Sequence, residues 1–251
     1  MTADNSKTLL FSRRWVGSEA TKLLHEARLD QGRPSHVSPG STLIAAMGQH
    51  WHPGSMETVI AMAQHTADAG YEICCYEEHD RCYLPYDAMG VMRNLAYMKA
   101  LEEGWEYLLY VDNDVLPNQD ALVKLLQRPV PIVSPIIVYS DGEAHGLTMP
   151  LMERNRGLAM VTSCVLSFLL VRATVFLPWA SGGFWENPLG ADESYHFAKL
   201  RMTGHMPFVD SDVVVACQSP PHYPLDSVGP CPSARVGRDA DTLKRLFPHH
   251  E

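Results

Sequence analysis

The stretch Trp105-Glu106-Tyr107-Leu108-Leu109-Tyr110-Val111-Asp112-Asn113-Asp114-Val115-Leu116-Pro117 decides the fold. From Tyr107 to Val111 every residue is aromatic or aliphatic, the length and composition of a strand buried on both faces. The run leads directly into Asp112-Asn113-Asp114, and a helical segment, residues 118–126, follows Pro117. Carboxylates two residues apart on extended backbone point to the same side. At a few ångströms they repel by about 1 kcal/mol or more, increasingly so as water is excluded. A divalent cation, completed by the phosphate oxygens of a substrate, is the natural group to relieve that repulsion. The open end of such a strand is also where α/β sheets bind ligands. One reading is therefore a metal-dependent enzyme acting on a phosphorylated substrate. The other is that Asp and Asn simply cap the following helix.

Working outward, Thr42-Leu43-Ile44-Ala45-Ala46-Met47 reads as the first core strand, ended by Gly48 and a polar loop to Gly54. Ser55 is the expected N-cap of a helix over 56–69, which carries Met56, Val59, Ile60 and Ala63 at helical spacing. Gly70 closes it. Residues 71–76 form a second strand, with Glu77 at its end. A second helix over 87–103 presents Met89, Met92, Leu95, Ala96 and Ala100 on one face. This alternation predicts a parallel sheet with right-handed crossovers. Downstream, residues 130–138 make a strand that Pro131 and Pro135 mark as an edge or irregular element. A long apolar strand over 160–171, a helix over 192–203 and two short strands at 208–209 and 212–217 complete the pattern. The expected organisation is an N-terminal extension over 1–40, one domain over 41–224, and a C-terminal tail over 225–251 with a short helix.

With 251 residues the chain can bury a sizeable core. A formal net charge of −9 argues against broad contact with nucleic acid, although it allows a local basic pocket. No apolar run reaches the roughly 18 residues of a membrane span. Six cysteines are too few for a disulfide scaffold, so a reducing, cytoplasmic setting is expected. The spacing of Cys74, Cys75, His79 and Cys82 matches no common zinc pattern, which favours buried free thiols.

The order of motifs resembles nucleotide-sugar glycosyltransferases of the GT-A fold, in particular the DXD-containing, inverting, family-two-type group, over about residues 42–224. Arg93-Asn94 looks like that family's Arg-Asn element, and Asp112-Asn113-Asp114 like its DXD motif. Gly190-Ala191-Asp192, the strands ending in Val213-Val214-Val215, and His222 are similar to its base motif, late strands and metal-binding histidine. Ala191 stands where the family has a first acid, and Glu193 follows Asp192 instead. The resemblance implies a Rossmann-like, mostly parallel central sheet with flanking helices. It also implies transfer of a sugar from a UDP- or GDP-linked donor to a hydroxyl acceptor of unstated class, with inversion and with Mn²⁺ or Mg²⁺. On it, Asp114 and His222 would hold the metal, Asp112 would bind the donor's ribose or reach the metal through water, and Asp192, with Glu193 as substitute, would be the general base. Glu77, Arg93, Asn94 and Asn113 would contact the donor. Trp185 and Glu186 suit sugar recognition, because an aromatic face packs on C–H groups and a carboxylate accepts hydroxyls.

Each residue also has a plainer reading. Asp192 is well placed as an N-cap, His222 as a surface residue, Arg93 as the partner of a nearby acid, and Glu77 as part of a solvated loop. Two rival functions remain. A sugar nucleotidyltransferase would show a Gly-rich, Lys- or Arg-bearing loop after the first strand, and residues 48–54 contain neither cation. A non-catalytic sugar- or protein-binding module would tolerate Ala191.

Overall fold

The computed structural model of the chain describes residues 9–11, 38–47, 51–77, 88–139, 157–180, 183–185 and 193–218. In chain order the strands are β1 Leu9–Phe11, β2 Thr42–Met47, β3 Ile73–Glu77, β4 Tyr107–Asp112, β5 Val115–Leu116, β6 Ile132–Tyr139, β7 Leu158–Met160, β8 Phe168–Arg172 and β9 Phe208–Cys217. The helices are α1 Ser55–Asp68, α2 Ala88–Glu103, α3 Ala121–Leu126 and α4 Glu193–Met202, with a short 3₁₀ helix at Ala173–Trp179. All described strands join one sheet in the order β1-β3-β2-β4-β8-β6-β9-β5, and β7 pairs with β9.

The alternation of strand and helix gives parallel pairing across β1, β3, β2 and β4. The second half is mixed. Strand β8 runs antiparallel to both β4 and β6, while β6 and β9 are parallel to each other. Two reversals restore the direction, so β6 and β9 end on the same sheet edge as β4, and β8 begins there.

Strand alternation assigns each side chain to one of two cores. Ile44, Ala46, Leu109 and Val111 pack with Val59 and Ala63 of α1 and with Leu122 and Leu125 of α3. Leu43, Ala45, Met47, Leu108 and Tyr110 pack with Met92, Ala96 and Tyr97 of α2 and with Phe197 and Leu200 of α4. Each fully buried large side chain contributes about 1.5–3 kcal/mol. Because β2 and β4 are covered on both faces, the sequence there shows continuous apolar runs rather than alternation.

Several local expectations change. Ser55 is the first helical residue and not the cap. Gly54 holds the cap position at φ 83°, and the buried Ser55 Oγ has no partner among the described residues. The apolar run at 160–171 divides into β7, an irregular segment and β8, because β7 pairs with β9 whereas β8 lies between β4 and β6. Strand β6 is interior despite its prolines. Pro135 sits where the register with β9 slips, so its missing donor falls at an irregularity rather than in a regular ladder. The two short strands expected at 208–209 and 212–217 are one strand, β9, interrupted by that bulge. Cys74 and Cys75 are buried thiols outside any disulfide, and burial raises the pKa of Cys75 well above its ordinary value. His79 and Cys82 lie outside the described residues.

Candidate active site

The carboxyl edge of the sheet gathers the ends of β2, β3, β4 and β9 and the start of β8. Asp112 is the last residue of β4, opposite Met47 of β2, and Glu77 ends β3 opposite Ala46. Neighbouring strands lie about 4.8 Å apart, so the Glu77 and Asp112 backbones, on strands either side of β2, are about 10 Å from each other. Asn113 and Asp114 form a turn into β5 rather than continuing the strand. The premise of extended backbone is thus corrected. The two carboxylates nevertheless remain close enough for the charge of Asp114 to act on Asp112.

This acidic turn is clamped by its neighbours. The His52 backbone N–H, in the loop after β2, donates to the Asn113 carbonyl at 3.0 Å. The Gln218 N–H, just past β9, donates to the Asp114 carbonyl at 2.9 Å, while its side-chain amide donates to the Pro53 carbonyl at 2.8 Å. The loop after β2, the acidic turn and the exit of β9 are therefore one connected surface.

The pKa of Asp112 is shifted by its surroundings. Its side chain is 19% exposed and faces Arg93 of α2, whose Nη2 donates to Asp112 Oδ1 at 3.3 Å. Burial, the largest effect, and the neighbouring Asp114 charge raise its pKa above the usual carboxylate value. Arg93 and a hydrogen bond from the Ser167 hydroxyl act the other way. Ser167 also accepts the Asp112 backbone N–H on its carbonyl at 2.9 Å. Ser167 lies at the irregular entry to β8, within the apolar run over 160–171.

Trp185 is a buried side chain. It is 2% exposed, and its backbone N–H donates to Asn94 Oδ1 at 2.9 Å. Its indole N–H donates to the Tyr110 hydroxyl at 2.9 Å, and that hydroxyl donates to the Arg93 carbonyl at 3.1 Å. Its ring packs edge-on against Tyr110 and Phe184, and His196 of α4 lies 5.0 Å away centroid to centroid. The Arg93 guanidinium sits 5.7 Å from the Trp185 ring centroid. A Cβ on Gly90 would come within 2.7 Å of the Trp185 carbonyl oxygen, so the glycine lets this segment lie directly on α2. Trp185 is thus a core residue joining three elements, and the Asn94 carbonyl oxygen holds its backbone.

Helix α4 is docked through the same segment. His196 Nδ1 lies 3.2 Å from the Phe184 carbonyl oxygen, and Lys199 donates to that oxygen at 2.9 Å. His196, Lys199, Tyr110 and Ser167 were all missed by sequence reasoning, since each acts through a partner distant in the chain. Glu193 opens α4. Asp192, Glu186 and His222 lie outside the described residues, as do the side chains of Glu77 and Glu193.

The donor set can be tested against a divalent cation. No group of three or more His, Cys, Asp or Glu among the described residues forms a ready cage. Two mutually repelling carboxylates with oxygen donors fit a hard cation that takes its remaining ligands from elsewhere. None of the described helices is long and apolar enough to cross a membrane.

The fold is thus mixed α/β, with a central sheet that is parallel over its core strands and an acidic turn at its carboxyl edge. No family model matches the sequence, and a search of curated proteins found no match. Solved structures similar to the chain include a glycosyltransferase involved in glycosylating the major capsid of PBCV-1, with 11% identity, a TM-score of 0.41, and coverage of 70% of this chain and 91% of that one. A mutant Drosophila β1,4-galactosyltransferase 7 in complex with manganese, UDP-Gal and xylobiose has 14% identity, a TM-score of 0.45 and coverage of 69% and 66%. GalNAc-T7 with UDP, GalNAc and Mn²⁺ has 12% identity and a TM-score of 0.47, with 82% of this chain aligned to 47% of that one.

Proposed function

We propose that the protein is a metal-dependent glycosyltransferase of GT-A type that moves a sugar from a UDP- or GDP-linked donor to a hydroxyl acceptor with inversion. The observation that carries this reading is the acidic turn itself. Asp112 and Asp114 meet at the carboxyl edge of the parallel core strands, where burial and the neighbouring Asp114 charge disfavour the ionised Asp112 carboxylate. The ordered motifs Arg93-Asn94, Asp112-Asn113-Asp114, Asp192 and His222 point the same way.

Asp112 and Asp114 would hold Mn²⁺ or Mg²⁺, with His222 as a third ligand. It follows Gln218 by four residues, and Gln218 is bonded to the Asp114 carbonyl. The cation would supply Lewis-acid neutralisation of the diphosphate leaving group. Glu77 and Asn113 would line the donor side and Glu186 the sugar side. Asp192, or Glu193 beside it, would take the proton from the acceptor hydroxyl. The acceptor oxygen then forms a bond to the anomeric carbon as the bond from that carbon to the phosphate oxygen breaks. The nucleoside diphosphate leaves with the bonding pair.

The test is a thermal-shift titration with UDP, GDP and their sugar conjugates, with and without Mn²⁺. A ligand present at about 100 times its Kd stabilises by about 2.7 kcal/mol. At about 2–4 °C per kcal/mol for a domain of this size, a rise of roughly 5–10 °C is expected with one nucleotide and Mn²⁺. It should vanish in Asp114→Ala. The absence of any nucleotide shift, or an equal shift in Asp114→Ala, would sink the proposal. The anomeric configuration of the product, read by NMR, decides inversion.

A further inference from the structure

We propose that Arg93 and the divalent cation compete for the same carboxylate oxygen of Asp112. Arg93 is a counter-ion in the cation-free protein and becomes an anion ligand once the cation has taken that oxygen. The inference rests on the cation–diphosphate reading of the site and adds a rule for how its two ligands bind.

Three features of Arg93 point to a guanidinium held in waiting. Its one side-chain hydrogen bond among the described residues, to Asp112 Oδ1, is 3.3 Å long. Charge-assisted bonds of this kind are usually about 2.7–2.9 Å. Its Nε is buried and has no partner among the described residues, although the side chain is only 12% exposed. Buried donors of this kind are rare without a ligand, water or strain to explain them. The group is also propped on the Trp185 ring, 5.7 Å from its centroid, on a helix fixed by Gly90 and Asn94. That support keeps the guanidinium beside the acidic turn even when Asp112 is taken from it.

A cation on Asp112 Oδ1 and a guanidinium on the same atom repel each other. Cation binding alone must therefore displace Arg93 and leave its donors unsatisfied. A diphosphate reverses that penalty, because its oxygens accept from the planar guanidinium fork while also binding the cation. Cation and diphosphate should bind with positive coupling, and Arg93 is the residue that carries it. The Ser167 hydroxyl, which also hydrogen-bonds the Asp112 carboxylate, keeps that carboxylate oriented through the exchange.

The experiment measures free Mn²⁺ by electron paramagnetic resonance against wild type, Arg93→Met and Arg93→Lys, first alone and then with UDP or GDP. Arg93→Met should bind Mn²⁺ alone more tightly than wild type, by about fivefold or more, and its enhancement by the nucleotide should shrink by a similar factor. Arg93→Lys keeps the charge without the fork. It should bind Mn²⁺ alone as weakly as wild type and still lose much of the nucleotide enhancement, which provides a second reading if the Met variant folds poorly. An Arg93→Met protein with unchanged or weaker Mn²⁺ affinity and an intact nucleotide effect overturns the exchange while leaving the site reading in place. Failure of wild type to bind Mn²⁺ under any condition overturns both.

Discussion

The Asp112 carboxylate pairs with Arg93 and the Ser167 hydroxyl, yet burial and the charge of Asp114 still hold its pKa above the ordinary value. A carboxyl raised in this way binds its proton more tightly in the folded chain than in the unfolded one. Stability therefore falls as pH rises from the unfolded value through the folded one. Asn at this position keeps the shape and removes the charge. With chelator present, Asp112→Asn is expected to melt at or above the wild-type temperature near neutral pH. That advantage should disappear below about pH 4, where both states of the wild-type carboxyl are protonated. Thermal denaturation across pH checks it. A clear loss of Tm in the Asn variant at neutral pH would mean that the charge stabilises the chain, as a structural ion pair would. The adjacent acids could be read from the sequence because they lie in one short stretch. Ser167 could not, because its contact exists only once β8 is laid antiparallel beside β4.

Strand β9 shows the same limit one level up. Asp210-Ser211-Asp212 breaks its apolar run, which is why the sequence reads as two strands. The folded chain instead absorbs these residues in a bulge and pins them with one cation. Arg128 donates from Nε to Asp210 Oδ2 at 2.6 Å, and from Nη2 to Asp210 Oδ1 at 3.1 Å and Asp212 Oδ2 at 3.0 Å. Asp212 in turn accepts the Gly157 N–H at 3.1 Å, tying in the residue before β7. Because Asp210 is 0% exposed, removing Arg128 strands a buried charge. Such a loss costs about 3–5 kcal/mol. Arg128→Met is accordingly expected to lower Tm by roughly 10 °C. Adding Asp210→Asn should restore part of the loss, since an apolar–neutral pair no longer buries an unmatched carboxylate. Equal melting temperatures for the single and double variants would show that the bulge does not depend on this charge pair. The element matters to the site because β9 delivers Gln218 to the acidic turn.

Across the whole molecule, the half that could be read in advance is the half built from local repetition of strand and helix. Residues 42–126 alternate regularly, and β2, β3 and β4 pair within that span. Strands β6, β8 and β9 pair with elements far along the chain, so their periodicity alone left their order and direction open. Trp185 belongs to that second kind. In the sequence it suits sugar recognition, and in the fold its indole closes the junction of α2, β4 and α4. The two roles make opposite predictions for one pair of substitutions. As a junction residue, Trp185→Phe keeps a ring but loses the indole bond to Tyr110, a cost of about 1 kcal/mol. Trp185→Ala removes the ring and should cost about 3–5 kcal/mol. As a sugar platform, Trp185→Phe would leave Tm unchanged and weaken donor or acceptor binding alone. Thermal denaturation paired with Mn²⁺-dependent nucleotide titration separates them. The expected result is a graded loss of Tm from Phe to Ala, with nucleotide affinity in the Phe variant close to wild type. Arg93 rests on this ring and Asn94 is bonded to its backbone, so the Ala variant should also loosen the geometry of the acidic turn. Its nucleotide affinity should therefore fall together with its stability, which makes Trp185 the point where the packing of the second core sets the geometry of the sheet edge.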